Sequence, residues 1–295
     1  MRILFFAGLL AALFLTPADA NLIGGKRVLL AGKSKFVGAG DIVVSATAWW
    51  GLRAYNLAYA ASAGKIALVC TPADATCANV NSDSKGNFNL AGTPSLTCNN
   101  GGSICTIKTF FDQSGANSCA GACDLTQATI ASRPTLVINC IASLPCALFS
   151  AVQTLASVGA AYSQPDTWSI VAKRTSGTVR TSVFSPSSGL QQVGFDTGAT
   201  NMLCYAGLVP SISGAAEGAF HSFQCILNNP SSQYFLDGSG AGISAGTQNV
   251  AASAFAMNSA NPGVFEFTEG GLWGVAFSSG QQSSMNLNQH AYWGF

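Results

Sequence analysis

Charge is scarce in this sequence. Lys, Arg, Asp and Glu make up 8% of its 295 residues, and the formal net charge is +1. A nucleic-acid-binding chain carries a basic stripe on one face. Here the basic residues gather only at Lys26, Arg27, Lys33 and Lys35, so no nucleic-acid partner is expected. Scarce charge also argues against long exposed helices, whose outer faces need Glu, Lys and Arg. There are two histidines, His221 and His290, and no Ser-His-Asp order that points to a hydrolase triad. No Gly-x-Gly-x-x-Gly stands between a strand and a helix, which argues against nucleotide binding. No repeat of fixed period is present. After the first 20 residues no apolar run is long enough to span a bilayer.

What is present is apolar and turn-rich. Hydrophobic residues reach 48%, with 18 Phe and 32 Gly, a composition that excludes disorder and suits short strands joined by tight turns. The first 20 residues read as a signal peptide: Arg2, an apolar stretch over 3–15, and Ala18-Asp-Ala20 as a cleavage site. At about 13 residues the apolar stretch is too short for a membrane span. The expected location is therefore secreted or periplasmic, with no membrane contact after cleavage. Residues 21–40 read as an N-terminal arm and 41–295 as one domain, since no Pro- or Ser-rich linker divides them.

Ten cysteines follow the signal segment, as expected in an oxidising compartment. Proximity pairs Cys70 with Cys77, Cys98 with Cys105, Cys119 with Cys123, Cys140 with Cys146, and Cys204 with Cys225. The Cys119 to Cys123 spacing is near that of zinc ligands, but neither His is close in sequence. No metal and no cofactor are expected.

The chain alternates short strand patterns with turn residues. A short helix is predicted within 48–60, and residues 71–97 read as a long connection. Strands are predicted at 66–70, 104–111, 135–138, 147–150, 168–173 and 179–184. A hairpin follows over 192–205 around Asp196 and Asn201, then strands at 220–227, 233–238 and 265–277. No helical patterns separate these strands, which excludes an α/β arrangement and leaves an all-β sandwich.

At this point the residues resemble known families. Phe220-His221, Leu236-Asp237-Gly238 and the Gly-rich 269–277 segment resemble the concanavalin-A and laminin-G type of jelly-roll sandwich. A narrower resemblance is to the catalytic domain of α-L-arabinofuranosidase B, glycoside hydrolase family 54. It rests on Arg53-Ala-Tyr55, on Cys98 and Cys105 followed by 107–115 with Asp112-Gln-Ser-Gly, on Leu125-Thr-Gln-Ala128, and on Phe267-Thr-Glu-Gly270. The resemblance implies a concanavalin-A-like β-sandwich acting on a polysaccharide or other glycan, and with the local disulfides and the one short helix read above, the expected fold is such a sandwich and the expected state a monomer. It also implies hydrolysis of arabinofuranosides with retention, by a Glu nucleophile and an Asp acid/base about 5–5.5 Å apart.

The family's acid/base Asp falls on Asn258, and no Glu precedes the Tyr205-Ala-Gly207 segment that matches its nucleophile strand. Asp196 with Glu266 or Glu269 is the replacement catalytic pair. Asp112, Asn201 and Asn258 are the candidate substrate-binding residues. Glu266 and Glu269 are three apart, which puts them on opposite faces of a strand unless a bulge intervenes. Two other functions stay open: a lectin-like sandwich that binds glycans without cleaving them, and a structural surface protein.

Overall fold

The computed structural model describes residues 22–23, 26–27, 35–98, 104–119, 123–186, 188–198 and 200–295. The expected signal peptide and most of the arm lie outside them. Residues Met1–Ser34 and Lys35–Phe295 are separate units. In the first, Leu22–Ile23 (β1) and Lys26–Arg27 (β2) pair antiparallel.

The strands of Lys35–Phe295 follow in chain order. They are Ala48–Gly51 (β3), Lys65–Cys70 (β4), Cys77–Asn81 (β5), Thr106–Phe110 (β6), Leu125–Thr126 (β7) and Thr135–Ile141 (β8). Next come Leu144–Phe149 (β9), Leu155–Tyr162 (β10), Asp166–Ser176 (β11), Thr181–Pro186 (β12), Gln192–Phe195 (β13) and Asn201–Tyr205 (β14). The last are Ser211–Ser213 (β15), His221–Leu227 (β16), Gln233–Leu236 (β17), Ser239–Gly242 (β18), Val250–Met257 (β19) and Val264–Trp273 (β20). The helices are Ala39–Ile42 (α1), Leu57–Ala61 (α2) and Ser279–Trp293 (α3).

The pairings trace two antiparallel layers. One runs β5-β4-β6-β7-β10-β19-β12-β13-β14-β15. The other runs β18-β17-β16-β11-β20. Strands β3 and β9 share the free edge of β20, and β8 follows β9. A bridge between Thr106 and Thr135 joins the layers.

Period-2 alternation explains what lies between them. On β11, Trp168 points inward and meets Phe184 of β12 and Phe255 of β19 at ring distances of 5.6 and 6.0 Å. Phe267 of β20 meets Phe184 at 5.4 Å and Phe110 of β6 at 5.9 Å. Trp50 stacks on Phe184 at 5.2 Å. These contacts across the layers make one aromatic core, and the fold is a β-sandwich. All five Trp are buried, so each packs the interior, the commoner use of such rings.

The outer face of the β16-β11-β20 layer is covered by α3. This helix begins at Ser278, whose side chain accepts the Gln281 N–H while Gln281 accepts that of Ser278 at 2.9 Å. It ends at Gly294, whose φ of 75° is a left-handed cap. Its buried stripe is Gln282, Met285, Gln289 and Trp293. Gln289 Oε1 accepts from Ser222 Oγ at 2.8 Å and Ser169 Oγ at 3.4 Å. The helix therefore docks by hydrogen bonds as much as by apolar burial.

Three expectations are corrected. The short helix predicted within 48–60 forms only at the end of that stretch, as α2, and is preceded by a strand, β3. Its Trp49 and Trp50 are wholly buried, and aromatic pairs favour a packed strand over a helix. The connection over 71–97 contains β5, clipped to β4 by Cys70–Cys77. One short helix was expected, yet α3 has 15 residues. Disulfides are local: Cys70–Cys77, Cys98–Cys105, Cys119–Cys123, Cys140–Cys146 and Cys204–Cys225. Among the described residues no helix is long and apolar enough to cross a membrane.

Candidate functional site

The chain leaves β6 at Phe110, and Asp112 then becomes a junction. Its Oδ1 accepts the N–H of Trp49 at 3.0 Å and of Ser114 at 2.9 Å, and its Oδ2 accepts that of Cys123 at 3.3 Å. The N–H of Asp112 itself donates to Asp124 Oδ1 at 2.8 Å. The Cys119–Cys123 disulfide ends one residue before Asp124. Burial pushes the Asp124 carboxyl above the usual carboxylate range. The Asp112 charge adds to this, while the Asp112 N–H and Lys65 oppose it.

Aromatic rings flank the two carboxyls. Lys65 Nζ lies 5.7 Å from the centre of the half-buried Phe111 ring. Tyr59 donates its hydroxyl to the Lys65 carbonyl. Burial raises the Tyr59 phenol, and the charges of Asp112 and Asp124 raise it further. Asp112, Asp124, Phe111 and Tyr59 are all half-buried. Asp112 spends both oxygens on backbone N–H groups, so what this surface offers a polyhydroxylated ligand is the Asp124 carboxyl, one ammonium and two apolar rings.

The three candidate catalytic carboxylates sit elsewhere, each with its own cation. Asp196, at the end of β13, is paired with Arg180 at 2.8 Å. Arg174 grips the neighbouring backbone through the Gly198 and Asp196 carbonyls. Glu266 is paired with Lys173 at 2.5 Å, and its Oε2 lies 2.9 Å from Cys140 Sγ of the Cys140–Cys146 disulfide. Glu269 is wholly buried and held by two bonds from Arg53, the Nη2 to Oε1 bond being 2.7 Å.

A bulge settles the relation of the two glutamates. Glu266 stands opposite Lys173 and Glu269 opposite Val171, with Thr268 as the extra residue. Lys173 and Val171 are two apart, so both glutamates face the side that α3 covers. Asn288 of α3 accepts from Arg53 at 2.7 Å, and Tyr292 stacks its ring 4.6 Å from the guanidinium. Glu266 and Glu269 thus share a face, while Asp196 is bonded into the turn between β13 and β14.

Asn201 donates its amide to the Thr197 carbonyl at 2.8 Å. Asn258 is wholly buried at φ 56°. Its Nδ2 lies 2.7, 2.9 and 3.2 Å from the carbonyls of Ser150, Gln153 and Gly263, and its Oδ1 accepts the Gly263 N–H at 2.7 Å. Every group of that amide is engaged in joining two turns. Asn258→Asp sets a carboxylate against three carbonyls. It is expected to destabilise the fold by about 1–3 kcal/mol without creating turnover on an aryl arabinofuranoside. Denaturant unfolding and a chromogenic assay check both parts.

Three of the stretches that carry the family resemblance, 53–55, 107–115 and 267–270, meet at one joint. Gln113 Oε1 accepts the Tyr55 N–H at 2.9 Å, and its Nε2 donates to Gly51 at 3.0 Å. Gly51 stands opposite Glu269, the partner of Arg53. Arg133 reaches the carbonyls of Gln127 and Ala128 at 2.8 and 2.6 Å. The two histidines also meet: His221 Nδ1 lies 2.6 Å and His290 Nε2 3.4 Å from Asp237, in the turn after β17.

Asp124, Tyr59 and Lys65 were not singled out from sequence. Asp124 stands 12 residues from Asp112 across a cysteine loop, and no period connects them. The one usable signal was a carboxylate directly after Cys123, a cysteine paired with Cys119.

No family model and no curated protein matches the sequence. Solved structures do match. A family 54 α-L-arabinofuranosidase soaked with a cyclic sulfate inhibitor is similar at a TM-score of 0.63 and 13% identity, over 84% of this chain and 63% of that one. An arabinofuranosidase complexed with arabinofuranosyl-α-1,2-xylobiose gives 0.65 and 14%, over the same shares. At this identity the likeness is one of fold, and the chain spans about 63% of the length of those structures.

Proposed function

We propose that this chain is an exported carbohydrate-binding sandwich of the arabinofuranosidase type, which recognises arabinofuranosyl groups of a polysaccharide and does not hydrolyse them. The fold likeness supports the carbohydrate part. The observation that carries the rest is the ion pairing of Asp196, Glu266 and Glu269 with three different cations. A carboxylate bound to its own cation is poorly placed to attack an anomeric carbon or pass a proton, and a retaining site needs two free ones about 5–5.5 Å apart.

The surface around Asp112 and Asp124 is the binding site in this proposal. Carboxyl oxygens accept charge-assisted bonds from sugar hydroxyls, and Phe111 and Tyr59 present apolar faces to sugar C–H groups. Affinity measurements on arabinan and arabinoxylan fragments test it. The Phe111→Ala and Asp124→Ala variants are each expected to weaken binding about tenfold, a loss of about 1.4 kcal/mol. Binding that neither variant alters removes the site, and no binding to any pentose-rich glycan removes the function.

A hydrolytic function rests on one observation, the Asp124 carboxyl raised by burial and bonded to the Asp112 N–H, since raised carboxyls mark candidate general acids. Release of arabinose above blank, lost in Asp124→Asn, would establish it in place of the binding function. Export itself is tested by sequencing the amino terminus of the protein from the medium, with Asn21 expected first.

A further inference from the structure

Away from the Asp112 surface, a second cluster of polar groups lies inside the sandwich. Asp166 opens β11 and is wholly buried, as is Gln191, while Tyr162 at the end of β10 is 7% exposed. Each has an oxygen without a partner: Asp166 Oδ1, Gln191 Oε1 and Tyr162 Oη. Among the described residues no Lys, Arg or His is paired with Asp166.

The orientation of the amide is fixed by its own bonds. Gln191 Nε2 donates to Asp166 Oδ2 at 3.2 Å and to the Gln248 carbonyl at 3.0 Å. Both N–H groups are used, so the unpartnered atom is the acceptor oxygen. Tyr162 is fixed by its ring, stacked on Phe255 at 5.3 Å and edge-on to Trp168 at 5.9 Å. Asp166 shares the inward face of β11 with Trp168, two residues on. Burial raises the Tyr162 phenol, and the Asp166 charge raises it further.

A carboxylate and the amide hydrogen-bonded to it lie with a phenol hydroxyl in a low-dielectric interior, each with an unpartnered oxygen, and among the described residues no cationic side chain is paired with the carboxylate. Such a group is costly to bury unless something positive meets it. The donors are all oxygen, which is the set that hard cations take and that thiol- or imidazole-seeking metals do not. We infer that Asp166, Gln191 and Tyr162 form an interior site for a hard cation, a calcium or alkali ion, whose binding stabilises the sandwich. The sequence alone carried no expectation of a metal.

Binding to the folded chain alone raises its melting temperature with ligand concentration. The test uses the full chain, dialysed against chelator into tetramethylammonium buffer at pH 8. Thermal unfolding is then followed against rising CaCl2, MgCl2, NaCl or KCl. A saturable rise with calcium or an alkali ion is expected. It is lost in Asp166→Asn, which keeps the shape of the side chain, and reduced in Tyr162→Phe, which keeps the ring. No saturable rise with any of the four salts overturns the inference, as does an equal rise in Asp166→Asn. A response to magnesium alone also overturns it, because that ion demands a tighter octahedral shell.

Discussion

Asp166→Asn, in buffer free of bindable cations, is expected to stabilise the protein at pH 8 by on the order of 4 kcal/mol and to change it little near pH 4. Burial raises the Asp166 carboxyl from 3.8 to about 7, with the Gln191 amide opposing. A shift of about three units is worth roughly 4 kcal/mol. The direction follows from linkage. A carboxyl raised in the fold binds its proton more tightly there than in the unfolded chain. Its contribution is full below pH 3.8, falls as pH rises toward 7, and stays lost above that. Asn has no proton to lose, so the variant removes the decline. Denaturant melts of both proteins from pH 4 to 8 measure it. Parallel pH curves for wild type and variant would refute the assignment. In saturating cation the advantage of Asn shrinks, because the ion then holds the charged form.

Glu269→Gln is expected to cost about 3–5 kcal/mol, the usual cost of removing one partner of a buried ion pair. Arg53 and Glu269 are both wholly buried, and the variant strands a guanidinium whose Nη1 has no partner. Arg53→Met should cost a similar amount. The double variant Arg53→Met with Glu269→Leu should recover much of the loss, since apolar replacement of a buried pair is often neutral or better. A double-mutant cycle measures the coupling. This result also separates a structural Glu269 from a nucleophilic one. A nucleophile replaced by its amide loses turnover while the fold keeps its stability.

The sandwich was legible because its inner strands are regular. Trp168 and Ile170, or Phe223 and Cys225, alternate with Ser169 and Gln224, and period 2 is visible without any neighbour. The short disulfides were legible for a similar reason: their partners are close in sequence. Helix α3 was not. Its buried stripe holds two Gln, so no apolar period announces it, and hydrogen bonding to Ser169, Ser222 and Gln224 orders it together with the burial of Met285 and Trp293. The face of Glu269 was not legible either. One inserted residue, Thr268, reverses the count, and its place depends on the pairing with β11. Asp124 escaped because what makes it notable is the contact with Asp112, across the cysteine loop.

The disulfides described above close over at most 21 residues. None spans the chain, and the segment 147–203 lies within no closed loop. A single proteolytic cut there leaves two pieces with no covalent bond between them. Wherever the cut falls, those pieces still share the seam between β3 and β20, and for a cut after β11 they share the β11–β20 and β10–β19 ladders as well. A nicked molecule would therefore run as one species in native solution and as two bands on a denaturing gel without reductant. Its cysteines lock local turns, and the unity of the molecule rests on strand pairing.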